Sequence, residues 1–216
     1  MPKIKQKRQE LIALDFDGTL WDSLSLSYHA ILETFAYFNI DPPTKDEFRF
    51  GITKFGDGFY HRFGIPRSIP LEEIRKIRFK CRQEIYYKGR IFPDVIPTLQ
   101  EIKKSDAKII IISGNVFDNI KGIVRSNKEL NNLVSAIYTG DKNILIKMAI
   151  DRFEIDVSKA TYVDDTTEGL SIAKNLGLFT VAVGYEGAFQ PPEQLIKVAD
   201  AIIYSPKELL NKIRLK

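Results

Sequence analysis

Two aspartates at alternate positions close a short apolar run in Leu11-Ile12-Ala13-Leu14-Asp15-Phe16-Asp17-Gly18-Thr19. The continuous run suits a strand buried on both faces, and Gly18 marks its end. Side chains alternate along a strand, so Asp15 and Asp17 leave on one face while Phe16 points into the core. Two carboxylates aimed into one small space repel, and burying them is costly unless a cation or a proton intervenes. A hard cation with oxygen ligands is the natural partner, which makes this strand end a candidate active site rather than an acidic surface turn.

A second acidic pair repeats the pattern in Tyr162-Val163-Asp164-Asp165-Thr166-Thr167-Glu168-Gly169. Magnesium takes one or two protein carboxylates and completes its octahedron with water and phosphate oxygens. Four isoleucines precede Ser113-Gly114-Asn115, where Ser113 either caps the next helix or donates to a phosphate oxygen beside the amides of Gly114 and Asn115. A positive charge near the carboxylates would balance them and hold a phosphoryl group. Lys142, after Tyr138-Thr139-Gly140-Asp141, stands just past an apolar run, and Lys147 one helical turn further is its rival.

The elements that must position these residues divide the chain in three. Residues 22 to about 90 read as helical, with helices at 24–38 and 70–88 and a break at Asp41-Pro42-Pro43. The stretch Phe50–Gly58 between them is glycine-rich, a short helix and then a loop. From residue 91, strands expected at Lys108–Ser113, Leu133–Tyr138, Ala160–Asp164, Phe179–Val183 and Ala201–Tyr204 alternate with helices near 95–104, 116–126, 142–153 and 168–176. That alternation predicts an α/β fold with a parallel sheet covered on both sides, whose ligands bind at the carboxyl ends of the strands.

The stretch Asp15–Thr19, continued by Leu20-Trp21-Asp22-Ser23, resembles the first motif of the haloacid dehalogenase superfamily. Ser113, Lys142 and the Asp164-Asp165 segment resemble its second, third and fourth motifs. The resemblance covers nearly the whole chain and is nearest in pattern to phosphoglycolate-phosphatase-like and beta-phosphoglucomutase-like members. It implies a Rossmann-like core at 1–21 and 91–216, with a helical cap at 22–90 inserted after the first strand and hinged near Asp22 and Gly89. It implies Asp15 as a nucleophile that is transiently phosphorylated. Asp17 would be the acid/base, its main-chain carbonyl also binding magnesium, and Ser113 and Lys142 would hold the phosphoryl oxygens. Gly18, Thr19, Gly114 and Asn115 belong to the implied substrate-binding loops, and Asp164 and Asp165 to the implied metal site.

Three departures accompany the resemblance. Asp164 stands where the nearest members have glycine, and Gly169 where they have a further aspartate. The register of Ala173 and Gly177 favours Asp165 as the direct metal ligand. The proline usual after the motif lysine is replaced by Asn143. An aspartate at the position of Asp17 separates phosphate-ester chemistry from the dehalogenases, whose halide needs no proton on leaving. The expected activity is magnesium-dependent hydrolysis of a small phosphorylated metabolite. The alternatives are a phosphomutase and a non-catalytic or nucleic-acid end-binding member. Polar side chains of the irregular middle segment, Arg49 and Lys54 first, are expected to recognise the leaving group unless they are ordinary solvated charges.

Composition bounds these readings. With 216 residues, 44% of them hydrophobic, the chain can bury a substantial core. A single cysteine, Cys81, excludes an internal disulfide framework, and no apolar run reads as a transmembrane span or signal peptide, so a cytoplasmic monomer or homodimer is expected. The net charge of +4 is spread among 28 acidic residues, with Lys3, Lys5, Lys7 and Arg8 as a basic tail, which makes nucleic acid a poor candidate partner. His29 and His61 lack any partner pattern, which argues against a histidine metal site or a serine–histidine triad.

Overall fold

A computed structural model describes residues 7–51 and 58–215, so Lys54 lies outside the described residues. The strands β1 (Leu11–Leu14), β4 (Lys108–Ser113), β5 (Ala136–Thr139), β6 (Ala160–Asp164), β7 (Phe179–Val183) and β8 (Ala201–Ile203) form one sheet in the order β5-β4-β1-β6-β7-β8. Every pairing in it is parallel. The chain builds outward from β1 to β4 and β5, then returns to the other side of β1 for β6. This is the Rossmann order, and its crevice lies where the direction reverses, between β1 and β6.

Strand alternation sorts the apolar residues into two layers. Ile12, Leu14, Ile109, Ile111 and Val163 face one side, where they pack with Val95, Leu99 and Ile102 of α5 (Val95–Lys103) and Ile120 and Ile123 of α6 (Phe117–Ser126). Leu11, Ala13, Ile110, Ile112 and Tyr162 face the other, against Ile146 and Ala149 of α8 (Lys142–Phe153) and Ala173 of α9 (Thr167–Asn175). A run such as Ile109–Ile112 is apolar throughout because both of its faces are covered.

Between the two arms of a short antiparallel ribbon, β2 (Trp21–Asp22) and β3 (Arg90–Ile91), lie the helices α1 (Leu24–Tyr37), α2 (Lys45–Gly51), α3 (Phe59–Arg62) and α4 (Leu71–Gln83). They bury a core of their own around Leu24, Ile31, Phe35, Phe48, Tyr60 and Ile74. Phe189, from the loop after β7, joins that cluster and ties the helical insert to the sheet. At the ribbon, a Cβ on Gly89 would come within 2.6 Å of the Trp21 ring, so the connection closes tightly.

Two sequence expectations are revised. The strand expected at Leu133–Tyr138 begins at Ala136, because Asn127 caps a short helix, α7 (Lys128–Leu133), by accepting from the Leu130 amide at 2.8 Å. The helix expected at 70–88 stops at Gln83, and a separate turn at Tyr86–Lys88 buries Tyr86 against Trp21. The two-residue arms of the β2–β3 ribbon carry no hydropathy pattern and were not foreseen.

Ile111 is completely buried in the central layer. Ile111→Ala should cost about 2–5 kcal/mol, read as a lower denaturant midpoint with an unchanged slope.

Candidate active site

Asp15 follows β1 directly, and its amide donates to the Val163 carbonyl at 2.9 Å, which continues the strand pairing to β6. Its carboxylate therefore leaves on the face of Ala13 and Tyr162, while Phe16 turns to the opposite layer and stacks on Trp21. Lys142 is the first residue of α8, whose start is fixed by Asp141 accepting from the amides of Asn143 and Ile144. From there its Nζ reaches Asp15 Oδ1 at 2.9 Å and Asp164 Oδ2 at 2.6 Å. Lys147 lies in a separate surface groove with Met148 and Asp151, so the geometry selects Lys142 from the two candidates.

Asp15, Asp164 and Asp165 bring carboxylate oxygens within 4.8 Å of one another, all three residues being buried. Burial pushes the Asp15 carboxyl up to about 7 against the pull of Lys142, with Asp164 adding to the rise. Burial and then the Asp15 charge raise Asp165 well above the usual carboxylate range. Burial works against the Lys142 ammonium, yet Asp15 and Asp164 hold it well above its ordinary value. One ammonium, in contact with Asp15 and Asp164, thus stands against three buried carboxylates.

The two carboxylates after β6 are held differently. Asp164 Oδ1 accepts from the amide and hydroxyl of Thr166, each at 2.8 Å, while its Oδ2 faces Lys142. Asp165 Oδ2 accepts from the Phe189 amide at 2.6 Å, and its Oδ1 is buried with no hydrogen-bond partner among the described residues. An all-oxygen donor set with one unsatisfied buried oxygen fits a hard divalent cation.

Asp17 leaves this cluster. Its Oδ1 accepts from Ser23 Oγ at 2.6 Å and from Arg82 Nη2 at 2.8 Å, and its Oδ2 accepts from Asn115 Nδ2 at 2.7 Å. Its side chain is therefore not one of the clustered carboxylates, and any part it has in holding a cation falls to its main-chain carbonyl. Ser113 Oγ accepts from the Asn115 amide at 3.1 Å and lines the same cleft. The residue capping α6 is Val116, so Ser113 does not have the helix-capping position that was its alternative reading.

Asp15, Asp17, Ser113, Lys142 and Asp165 line a cleft of about 970 Å³, which Gly114, Asn115 and Glu168 also border. Gly18 and Thr19, expected in a substrate-binding loop, are not among its lining residues. Gly18 has φ +75°, and a Cβ there would sit 1.9 Å from Asp165 Oδ2, so the position requires glycine. The Thr19 carbonyl accepts from the Tyr185 hydroxyl. Arg49 is not among the cleft residues; its guanidinium donates to the carbonyls of Phe189 and Ala188 at 3.4 and 3.2 Å and so ties the insert to the core. His61 contacts the Ile65 carbonyl and His29 pairs with Glu33, so neither histidine belongs to the site.

The sequence reading did not single out Ser27, Tyr60, Arg75, Arg78 and Arg82, which line the cleft from the insert, and it gave Ser23, which bonds Asp17, only as part of the first motif. The spacing of the arginines was visible, but a charged helix face reads equally well as solvated.

A six-stranded parallel sheet with carboxylates at the crevice between β1 and β6 defines an α/β enzyme core. The family model for haloacid dehalogenase-like hydrolases matches residues 12–183. The chain belongs to that family of hydrolases. It is 22% identical over 187 residues to the CbbY protein of Cereibacter sphaeroides, covering 78% of this chain and 81% of that protein. Among solved structures it is similar to a haloacid dehalogenase-like hydrolase from Streptococcus pneumoniae, with a TM-score of 0.81 and 20% identity over 94% of this chain and 98% of the other. CbbY from Rhodobacter sphaeroides, solved in complex with phosphate, gives a TM-score of 0.73 and 22% identity over 94% and 96% of the two chains.

The two departures at the β6 end are one change in space. A Cβ on Gly169 would lie 1.9 Å from Asp164 Oδ2 and 3.2 Å from Lys142 Nζ, so the Asp164 carboxylate fills the volume that a side chain at 169 would need. Gly169→Asp alone should lower stability by at least about 1–3 kcal/mol, whereas the exchange Asp164→Gly with Gly169→Asp should recover most of that loss. Thermal melting of both singles and the double measures the coupling.

Proposed function

We propose that this hydrolase is a magnesium-dependent phosphatase of small phosphate monoesters, working through an aspartyl-phosphate. The observation that carries the reading is the Asp15 carboxylate held between Lys142 and two further buried carboxylates, with Asp17 leaving the same strand end. A carboxylate needs no deprotonation at neutral pH once a cation offsets its neighbours, and an acyl phosphate divides one difficult hydrolysis into two easier steps. The helices of residues 22–90 act as a cap on a catalytic core formed by 1–21 and 91–216, and the core at the hinge is pinned by Gly89 against Trp21.

In this mechanism the ester binds with its phosphoryl oxygens toward Lys142, the Ser113 hydroxyl and the amides of Gly114 and Asn115. An Asp15 carboxylate oxygen attacks phosphorus and the bond to the ester oxygen breaks. Asp17 gives that oxygen its proton, so the alcohol leaves neutral. Asp17 then takes a proton from water, the water oxygen attacks phosphorus, and the acyl-phosphate bond breaks to restore the Asp15 carboxylate and release phosphate. Ser23, Arg82 and Asn115 hold the Asp17 carboxylate toward the cleft for both transfers. Asp15, Asp165 and the Asp17 carbonyl would hold the magnesium ion, which when bound supplies positive charge against the gathered carboxylates and the phosphate dianion.

Phosphate release from a panel of small esters, with and without magnesium, tests the reading. Asp15→Asn should keep the fold and lower turnover by about a thousandfold or more. Steady-state release by that variant at the native rate would overturn the covalent step.

Magnesium affinity should also depend on pH. Asp15 must be ionised to bind a cation, and its carboxyl is pushed up to about 7 in the metal-free protein. Affinity therefore weakens as pH falls through that value, by about tenfold per unit for Asp15 alone, and the raised Asp165 carboxyl adds to the loss. Calorimetric titration with magnesium at pH 5.5, 6.5 and 8 reads the dependence without reference to turnover.

A further inference from the structure

Ala188, Phe189 and Gln190, in the loop after β7, are buried, and each meets a different part of the molecule. The Gln190 side chain accepts from the Thr167 amide at 2.5 Å, at the first residue of α9. The Phe189 ring packs in the core of the insert, 6.3 Å from the Phe48 ring, while the Phe189 amide donates to Asp165 Oδ2 at 2.6 Å. Gly18 makes room for both groups, since a Cβ there would meet Asp165 Oδ2 at 1.9 Å and the Phe189 ring at 2.6 Å.

Arg49, in the last turn of α2, reaches the same loop from the insert. Its Nη2 donates to the Ala188 carbonyl at 3.2 Å and its Nε to the Phe189 carbonyl at 3.4 Å. The Ala188 carbonyl and the Phe189 amide belong to one peptide unit. A trans peptide is planar, with its C=O and N–H pointing opposite ways. The guanidinium therefore stands on one side of this unit and the Asp165 carboxylate on the other, joined by two hydrogen bonds in series. A cation on the carbonyl oxygen polarises the unit and makes its amide a stronger donor. The plane also transmits position, because the amide cannot turn without moving the carbonyl that Arg49 holds. Both effects fix Oδ2 of Asp165. They thereby orient Oδ1, which is buried without a hydrogen-bond partner among the described residues.

We propose that Arg49 is a positioning residue for the cation site, acting through the Ala188–Phe189 peptide to hold the Asp165 carboxylate with Oδ1 free to ligate a divalent cation. The proposal rests on the magnesium reading of the site and adds to it a residue of the insert. It gives the Arg49 charge a task in the core in place of the recognition of a leaving group. A group that only fastened the insert to the core would raise the melting temperature and leave cation affinity in the folded protein unchanged.

Calorimetric titration of the whole protein with magnesium at pH 8 separates the two roles. Removing a group bonded directly to a metal ligand costs about 10- to 100-fold in affinity, and Arg49 stands one hydrogen bond further out, so Arg49→Gln should weaken magnesium binding about threefold to tenfold. Arg49→Lys keeps a charged donor and should return affinity to within about twofold of the native value. Equal affinity in Arg49→Gln and the native protein would overturn the proposal and leave the magnesium reading standing. A native protein that takes up no magnesium would overturn both. Nuclear magnetic resonance of the native protein supplies a check that needs no variant. The Phe189 amide proton and the Arg49 Nε–H should both shift as magnesium is added, with the calorimetric midpoint, because a cation on Asp165 draws charge from the oxygen that the amide bonds. An Arg49 signal that stays in place while magnesium binds would overturn the relay.

Discussion

Three buried carboxylates against one ammonium set the terms on which the rest of this molecule is built. Were Asp15, Asp164 and Asp165 all ionised, each of the three pairs, with oxygens within 4.8 Å, would repel by at least about 3 kcal/mol at an effective dielectric of 20. Lys142 contacts only two of the three, Asp15 and Asp164. Asp165 is compensated by the Phe189 amide on one oxygen and left with an unsatisfied second oxygen, the point at which a divalent cation relieves most strain. The folded chain thus carries a deficit of positive charge that a bound cation is suited to fill.

The sheet order explains why that deficit falls where it does. β1 pairs with both β4 and β6, so the residues just beyond its end are flanked by the ends of two other strands. Side-chain bulk is withheld at the points of closest approach. Gly18 leaves room for Asp165, and Gly169 leaves room for Asp164. Capping then does the positioning: Asp141 starts α8 so that Lys142 points inward, and Thr166 starts α9 while bonding Asp164.

Much of this was legible in the sequence because strands impose a period of two and end where glycines or polar residues begin. The apolar runs before Asp15, Ser113 and Asp164 located three strand ends, and the sheet brought those ends together. The start of α8 was readable for a similar reason, since Lys142 stands just past an apolar run. What escaped notice had no local signature. The β2–β3 ribbon is held by its position between two larger bodies, not by propensity. The exchange between Asp164 and Gly169 is visible only in space, because residues five apart on a strand end and a helix start meet there. Sequence reading also placed substrate recognition at Arg49 because a glycine-rich loop was the obvious irregular feature. The insert instead spends that guanidinium on the carbonyls of Ala188 and Phe189.

The insert and the core are complementary in charge, and this bears on how they stay together as well as on what binds between them. Among the described residues, the polar contacts across the boundary include Arg82 with Asp17 and Arg49 with two main-chain carbonyls, beside an apolar junction at Phe189 and Phe48. The apolar junction is indifferent to ligand. The Arg82–Asp17 pair is not, because the same carboxylate must exchange a proton with the leaving group and then with water in the proposed cycle. The seating of the insert on the core and the readiness of Asp17 for proton transfer in that cycle therefore share one contact, beside those of Ser23 and Asn115 with the same carboxylate. A group that competes for Arg82 bears on both together, so in that cycle the contact between insert and core and the proton transfers of Asp17 are linked through this guanidinium, in a way the apolar junction at Phe189 is not.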